Sequence, residues 1–242
     1  MIHFSENVLD CQHPININSI NRKFAIVNCS IEKDSDYYND IFHQAKDLAS
    51  KVNPSAANDS FSSRDGKRLI HDAFGGLLAE IGWRNYLESK FGKITRSVPF
   101  SNAAHQFDIV FTNGEIAEVR SSFVRNGVKF ALCHKDANFK NIGPYSNSVK
   151  PNEIQKNLYL GVLFETDKKL ILEVEKIFFS LVGGSTWEMM VNIGEDELLK
   201  PEGGIVQNKS NYRVIKFMNA LDIKGILKEF EKIGYTRIQK KS

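Results

Sequence analysis

The chain has 242 residues, of which 42% are hydrophobic and 25% charged, with 17 Phe and a net charge of +3. This composition supports one sizeable core, or one domain with an appended subdomain, and excludes a largely disordered chain. The mild positive charge suits a nucleic-acid partner, no run of about 18 apolar residues offers a membrane span, and no basic head with an apolar core marks a signal peptide. Cys11, Cys29 and Cys133 form no CxxC pair. A zinc ribbon is therefore excluded, a disulfide framework is not expected, and a reducing cytoplasm is the expected location.

Residues 1–22 are polar, rich in Asn and Ile and without a clear period, and Lys23–Cys29 reads as a short buried strand. Apolar spacing through Tyr38, Ile41, Phe42, Ala45 and Ala49 predicts a helix over 35–52, stopped by Asn53-Pro54. A second helix is expected over 65–91, with Gly92 just past its end. Gly75-Gly76 interrupts it at a cost of about 1 kcal/mol per residue relative to Ala, so something is expected to pack closely there. Ile94–Phe100 reads as a strand. Phe107–Phe111 and Ile116–Val124 read as a hairpin turning at Asn113-Gly114. Val128–Cys133 alternates like a strand, and His134–Gln155 is a long polar segment. Leu158–Phe164 reads as a buried strand and Leu170–Leu181 as one or two more. Gly183-Gly184-Ser185-Thr186 reads as a strand-to-helix turn, with Ser185 and Glu188 as a capping box. A strand over 211–217 and an amphipathic helix over 222–233, ended by Gly234, complete the chain. The order makes the fold class α/β or α+β.

Asp108 and Glu118 lie inside the apolar strands of the hairpin, where a carboxylate is costly without a partner. On paired strands the two can point into one site. Hydrolysis of a phosphodiester needs a cation to neutralise developing charge and activate water. Mg²⁺ prefers carboxylate, carbonyl and water oxygens, so Asp108, Glu118 and the Val119 carbonyl are the expected metal ligands. Arg120 shares a strand face with Glu118 and offers a cation to the scissile phosphate. Glu80 follows the Gly pair by one helical turn. A structural alternative pairs Arg120 with Glu118 or Asp108, and Glu80 with Arg84 at i,i+4.

A helix bearing Gly-Gly-Leu-Leu-Ala-Glu (75–80), a strand, and then Asp108-x9-Glu118-x-Arg120 on a hairpin resemble the PD-(D/E)XK nuclease superfamily, which includes the restriction endonucleases. The resemblance covers about residues 65–165. It implies a restriction-endonuclease-like core, a central mixed sheet flanked by helices. It also implies that Asp108 and Glu118 hold Mg²⁺, or Mn²⁺, and that Glu80 is the additional acid of the first helix. The chain departs from the pattern at Phe107, where the family has Pro, and at Arg120, where it has Lys. Arg almost never releases its proton, so water activation falls to the metal, or to a lysine from elsewhere such as Lys129 or Lys135. The function implied is a Mg²⁺-dependent endonuclease on double-stranded DNA, of the type II restriction kind, acting as a homodimer. Residues 1–60 would form an N-terminal subdomain, 61–165 the nuclease core, and 166–242 an extension for recognition or dimer contacts. The alternatives are a DNA-binding or scaffold subunit with a lapsed site, favoured by Arg120, and a nuclease acting on RNA.

Weaker signals lie outside the hairpin. Lys135, Lys140, Asn147 and Lys150 in the polar segment are candidate DNA contacts, Lys to phosphate and Asn to adenine. Gly183-Gly184-Ser185-Thr186 lacks the ending of a P-loop and is better read as an ordinary turn. His105 and His134 offer nitrogen ligands near Asp108, although histidines at strand ends are more often structural. His71-Asp72 reads as a surface pair and Cys133 as inert core.

Overall fold

The computed structural model describes residues 1–12, 20–51, 66–96, 108–136, 139–146, 155–198 and 211–238. Among them the chain runs through β1 (His3–Gln12), β2 (Ile20–Glu32), α1 (Asp36–Lys51), α2 (Gly66–Phe91), β3 (Thr95–Arg96), β4 (Ile109–Phe111) and β5 (Ile116–Phe123). It continues through α3 (Gly127–Cys133), β6 (Lys140–Ser146), β7 (Leu158–Phe164), β8 (Lys176–Thr186), α4 (Trp187–Ile193), β9 (Glu195–Leu198), β10 (Asn211–Lys216) and α5 (Ile223–Lys232). Seven strands form a central mixed sheet in the order β1-β2-β8-β7-β5-β4-β3, and β6-β10-β9 form a second, smaller sheet. All neighbours in the large sheet are antiparallel except β5 and β7, which run parallel. The fold is mixed α/β.

Strand alternation splits the large sheet into two faces. On one face Val27, Ala117, Leu160 and Leu181 pack with Phe74, Leu78 and Trp83 of α2, Tyr38 and Ile41 of α1, and Ile226 and Phe230 of α5. On the other, Phe24, Tyr159, Leu163 and Val182 pack with Leu132 of α3, Met190 of α4 and Ile215 of β10. Asp222 caps α5, Oδ1 accepting from Gly225 N–H at 2.8 Å. Its Oδ2 accepts from Ala25 N–H at 3.1 Å, so one carboxylate both starts the helix and braces it against β2.

The Gly pair in α2 is half explained. A β-carbon on Gly75 would lie 3.3 Å from the Phe123 ring, whereas one on Gly76 would meet open space. Gly75 lets α2 lie close on β5, the strand that carries Glu118.

Several expectations need correction. Val128–Cys133 is the helix α3, not a strand; Val128, Ala131 and Leu132 face the second core with 3–4 spacing, which a six-residue window cannot separate from alternation. Cys133 is not an inert core thiol: it is disulfide-bonded to Cys11, tying α3 to β1 across 122 residues. Closing a loop of that length restricts the unfolded chain substantially. Residues 3–12, read as polar and without a period, form β1, most of whose side chains are exposed; β9 and β6, the latter inside the polar segment, are further strands without a clear sequence signal. Gly183 and Gly184 are not a turn into a helix but part of β8, which continues to Thr186. Thr186, not Ser185, caps α4, its Oγ1 accepting from Met189 N–H at 3.1 Å. Ser185 is buried beneath Asn141, whose Nδ2 lies 2.6 Å from its Oγ. His71 is buried rather than on the surface, while Asp72 pairs with Lys168 at 2.5 Å.

Gly183 has φ +85°, and a β-carbon there would run into the Leu221 backbone. The same approach lets Gly184 and Leu221 exchange backbone hydrogen bonds at 2.9 and 2.8 Å. Gly183→Ala is therefore expected to cost about 3 kcal/mol or more, from the left-handed backbone and the backbone clash together, read as a lower midpoint in urea denaturation.

Candidate active site

The hairpin β4–β5 forms as the sequence indicates, turning at Asn113-Gly114 with Gly114 at φ +93°. Pairing ends at Ile109–Ala117. Beyond that point the edge of β5 has no partner strand among the described residues, and Asp108 occupies the position. The Val119 N–H donates to Asp108 Oδ2 at 2.7 Å, in place of a strand carbonyl. In an antiparallel ladder a residue presents N–H and C=O to the same neighbour, so the Val119 carbonyl faces that same edge.

Ala117 and Phe123 pack on the α2 face, so alternation turns Glu118 and Arg120 to the opposite face. The parallel register sets Glu118 beside Tyr159 and Arg120 beside Gly161. Glu118 is 8% exposed. Its Oε1 lies 2.9 Å from Arg120 Nη2, and its Oε2 lies 3.5 Å from Lys156 Nζ. Burial, followed by the nearby Glu118 charge, pushes the Asp108 carboxyl up to about 7, against the opposing pull of the Val119 N–H, Arg120 and Lys156. The two acids thus stand close enough for the Glu118 charge to act on Asp108.

Glu80 stands apart from that group. It projects from α2, on the other face of the sheet from Glu118. Burial first, and then Asp108, raise its carboxyl to about 8, while Arg84 acts the other way from 3.9 Å. The structure therefore joins Asp108, Glu118, Arg120 and the Val119 backbone at one edge, and sets Glu80 within electrostatic reach of Asp108. Both sequence readings of Glu80 have a counterpart here, the additional acid and the i,i+4 partner of Arg84.

The acid pair suits a hard divalent cation. Its donors are carboxylate oxygens with a backbone carbonyl on the same edge, and Mg²⁺ is commonly held by one or two carboxylates with water and substrate phosphate completing its shell. Among the described residues no group of three or more His, Cys, Asp or Glu side chains is arranged to hold a metal. His134 stacks on Phe130 at 4.5 Å and has its Nδ1 3.7 Å from Asp136, and His105 lies outside the described residues.

No family model matches the chain. An uncharacterized protein, MJECS01, of Methanocaldococcus jannaschii is 25% identical over an alignment covering 91% of this chain and 94% of that protein. No solved structure matches. The similarity to the archaeal protein runs nearly end to end, and its printed name carries no activity.

The candidate DNA contacts scatter. Lys140 pairs with Glu197 of β9, inside the small sheet. Lys135 is exposed, its Nζ 3.4 Å from Asp136 and its N–H donating to Gln12 at 3.2 Å. Asn147 and Lys150 lie outside the described residues. Lys129 is exposed on α3, and neither it nor Lys135 is among the charges acting on Asp108. The lysine that does reach the acids is Lys156, which sequence reasoning missed. Its one sequence signal is a cation two residues before the wholly apolar run Leu158–Phe164.

Proposed function

We propose that this chain is a divalent-cation-dependent nuclease with a restriction-endonuclease-like core, hydrolysing phosphodiester bonds of double-stranded DNA. The observation that carries the reading is the convergence of half-buried Asp108 and buried Glu118 where β4 stops and the β5 edge opens. The succession α2, β3, β4, β5 also agrees with the helix-strand-hairpin order on which the resemblance rests. A bound Mg²⁺ or Mn²⁺ would supply charge neutralisation and an activated water. Asp108 and Glu118 would hold it, with the Val119 carbonyl as a neutral donor. The Val119 N–H fixes the Asp108 carboxylate in place. Arg120, with a side chain 28% exposed, pairs with Glu118 at 2.9 Å and would bring its guanidinium charge to the phosphate. Glu80 adds negative charge beside Asp108. A homodimer would present two such sites to the two strands. No described helix is long and apolar enough to cross a membrane.

A second reading has its own support. Both Glu118 oxygens face resident cations, which is the arrangement expected of a lapsed site that binds DNA without cutting it. Incubating the protein with plasmid DNA, and separately with structured RNA, in Mg²⁺ or Mn²⁺ separates these readings. Nicking or linearisation of plasmid that disappears in Asp108→Asn supports the DNA nuclease. Retention of DNA in a gel shift, without cleavage under any metal, leaves the binding subunit. Cleavage confined to RNA reassigns the substrate.

A further inference from the structure

Lys156 is 3% exposed, and a buried ammonium is costly without a fixed counter-charge. Its contact with Glu118 differs from that of Arg120. The Arg120 pair, at 2.9 Å, has the length of a charge-assisted hydrogen bond, whereas the Lys156 pair, at 3.5 Å, is looser. The mount of Lys156 is nonetheless firm. The adjoining Asn157 donates its N–H to the Ile116 carbonyl at 2.9 Å, and its side-chain oxygen accepts from the Ile116 N–H at 2.9 Å. Its carbonyl accepts from Trp187 N–H at 2.9 Å. The ammonium is thus presented to the acids from a backbone pinned to β5, through a contact that is ionic rather than tightly hydrogen-bonded.

Arg120 and Lys156 already set two positive charges against the Glu118 carboxylate. A divalent cation on that carboxylate would stand close to both in a poorly solvated setting, where like charges repel strongly. The looser of the two resident contacts is the one that yields.

We propose that Lys156 is a positioning residue, a built-in counter-ion that holds Glu118 in the metal-free protein and gives way when a divalent cation binds. This rests on the metal-site reading of Asp108 and Glu118. Lys156 acts through Glu118 rather than on substrate, since its side chain is 4% exposed. Its charge stabilises the empty site and competes with the metal for the same carboxylate.

Isothermal titration of the full chain with Mn²⁺, together with thermal melting of the metal-free protein, tests the inference. Lys156→Gln is expected to bind Mn²⁺ at least about ten-fold more tightly than wild type, because one repelling charge is gone, while its metal-free form melts at lower temperature. Lys156→Arg keeps the charge and is expected to stay within about two-fold of wild type, an outcome that a purely steric role would not give. Should Lys156→Gln fold poorly, Lys156→Met fills the same space without a polar end and is expected to show the same tightening. Equal or weaker Mn²⁺ binding by either folded variant overturns the counter-ion role and leaves the metal site standing. If neither wild type nor variant binds Mn²⁺, the metal-site reading itself fails and this inference fails with it.

Discussion

Asp108→Asn is expected to abolish cleavage and, at the same time, to make the metal-free protein more stable at pH 8. Burial and the Glu118 charge raise the Asp108 carboxyl from its ordinary 3.8 to about 7 in the folded chain. The sign follows from proton linkage. A group whose folded value lies above its unfolded one favours the native state fully at low pH, below about 4. That contribution disappears as pH rises through about 7. At pH 8 the ionised carboxylate is therefore a burden on the empty site. Asn removes the charge and keeps an oxygen to accept from the Val119 N–H. Three pH units correspond to about 4 kcal/mol; relaxation and water entry reduce the realised gain to on the order of 1–2 kcal/mol, or about 3–6 °C in a chain of this size. At pH 5 the native Asp108 carries its proton but the unfolded carboxyl is already ionised, so the gain should shrink to roughly two-fifths of its pH 8 size, and it should vanish only below about pH 4. Cleavage should fall by at least about 10²-fold, the scale of losing one group that stabilises transition-state charge. Melting curves at pH 5 and pH 8, beside a plasmid-nicking assay, check both halves. A variant that is less stable at pH 8, or that still cuts, removes Asp108 from the role assigned to it.

The parts of this molecule that were legible in its sequence are those where one local signal dominates. The hairpin was legible because Asn113-Gly114 is flanked by two apolar runs, and α5 because Asp222, a 3–4 apolar stripe and Gly234 agree on its limits. What stayed hidden depends on partners far along the chain. β1 is a strand only because β2 offers its edge, since most of its own side chains face outward. α3 is too short for its period to be told from alternation. The Cys11–Cys133 bond joins residues 122 apart, a distance at which no spacing rule operates. At the site, the alternation that puts Glu118 and Arg120 on one face could be read directly. Lys156 could not, because it enters the site only through the parallel pairing of β5 with β7. Glu80 was readable as an acid on a helix, but not as one set on the opposite face from Glu118.

Glu118→Ala is expected to be the most damaging single substitution at the site, and for a reason separate from chemistry. Glu118 is the counter-ion that Arg120 and Lys156 share, at 2.9 and 3.5 Å. Removing it leaves two cations without that counter-charge, one of them with a side chain only 4% exposed, and Asp108 as an acid on which both act. Breaking a buried ion pair on one side costs about 3–5 kcal/mol; ionisation of Asp108 returns part of that, so a loss of about 3 kcal/mol is expected, seen as a lower midpoint in urea at pH 7. Replacing both charges should recover much of it: the double variant Glu118→Ala, Lys156→Met removes the buried ammonium together with its Glu118 partner. If the single variant is as stable as wild type, the triad of Glu118, Arg120 and Lys156 does not hold the site together. The contrast with Asp108 is the useful point. Loss of cleavage in Glu118→Ala would mix a weakened fold with a lost metal ligand, whereas loss of cleavage in a stabilised Asp108→Asn isolates the chemistry. The two acids, equivalent in the sequence pattern, are separated in the structure by what stands next to them: a backbone N–H for Asp108, two cations for Glu118.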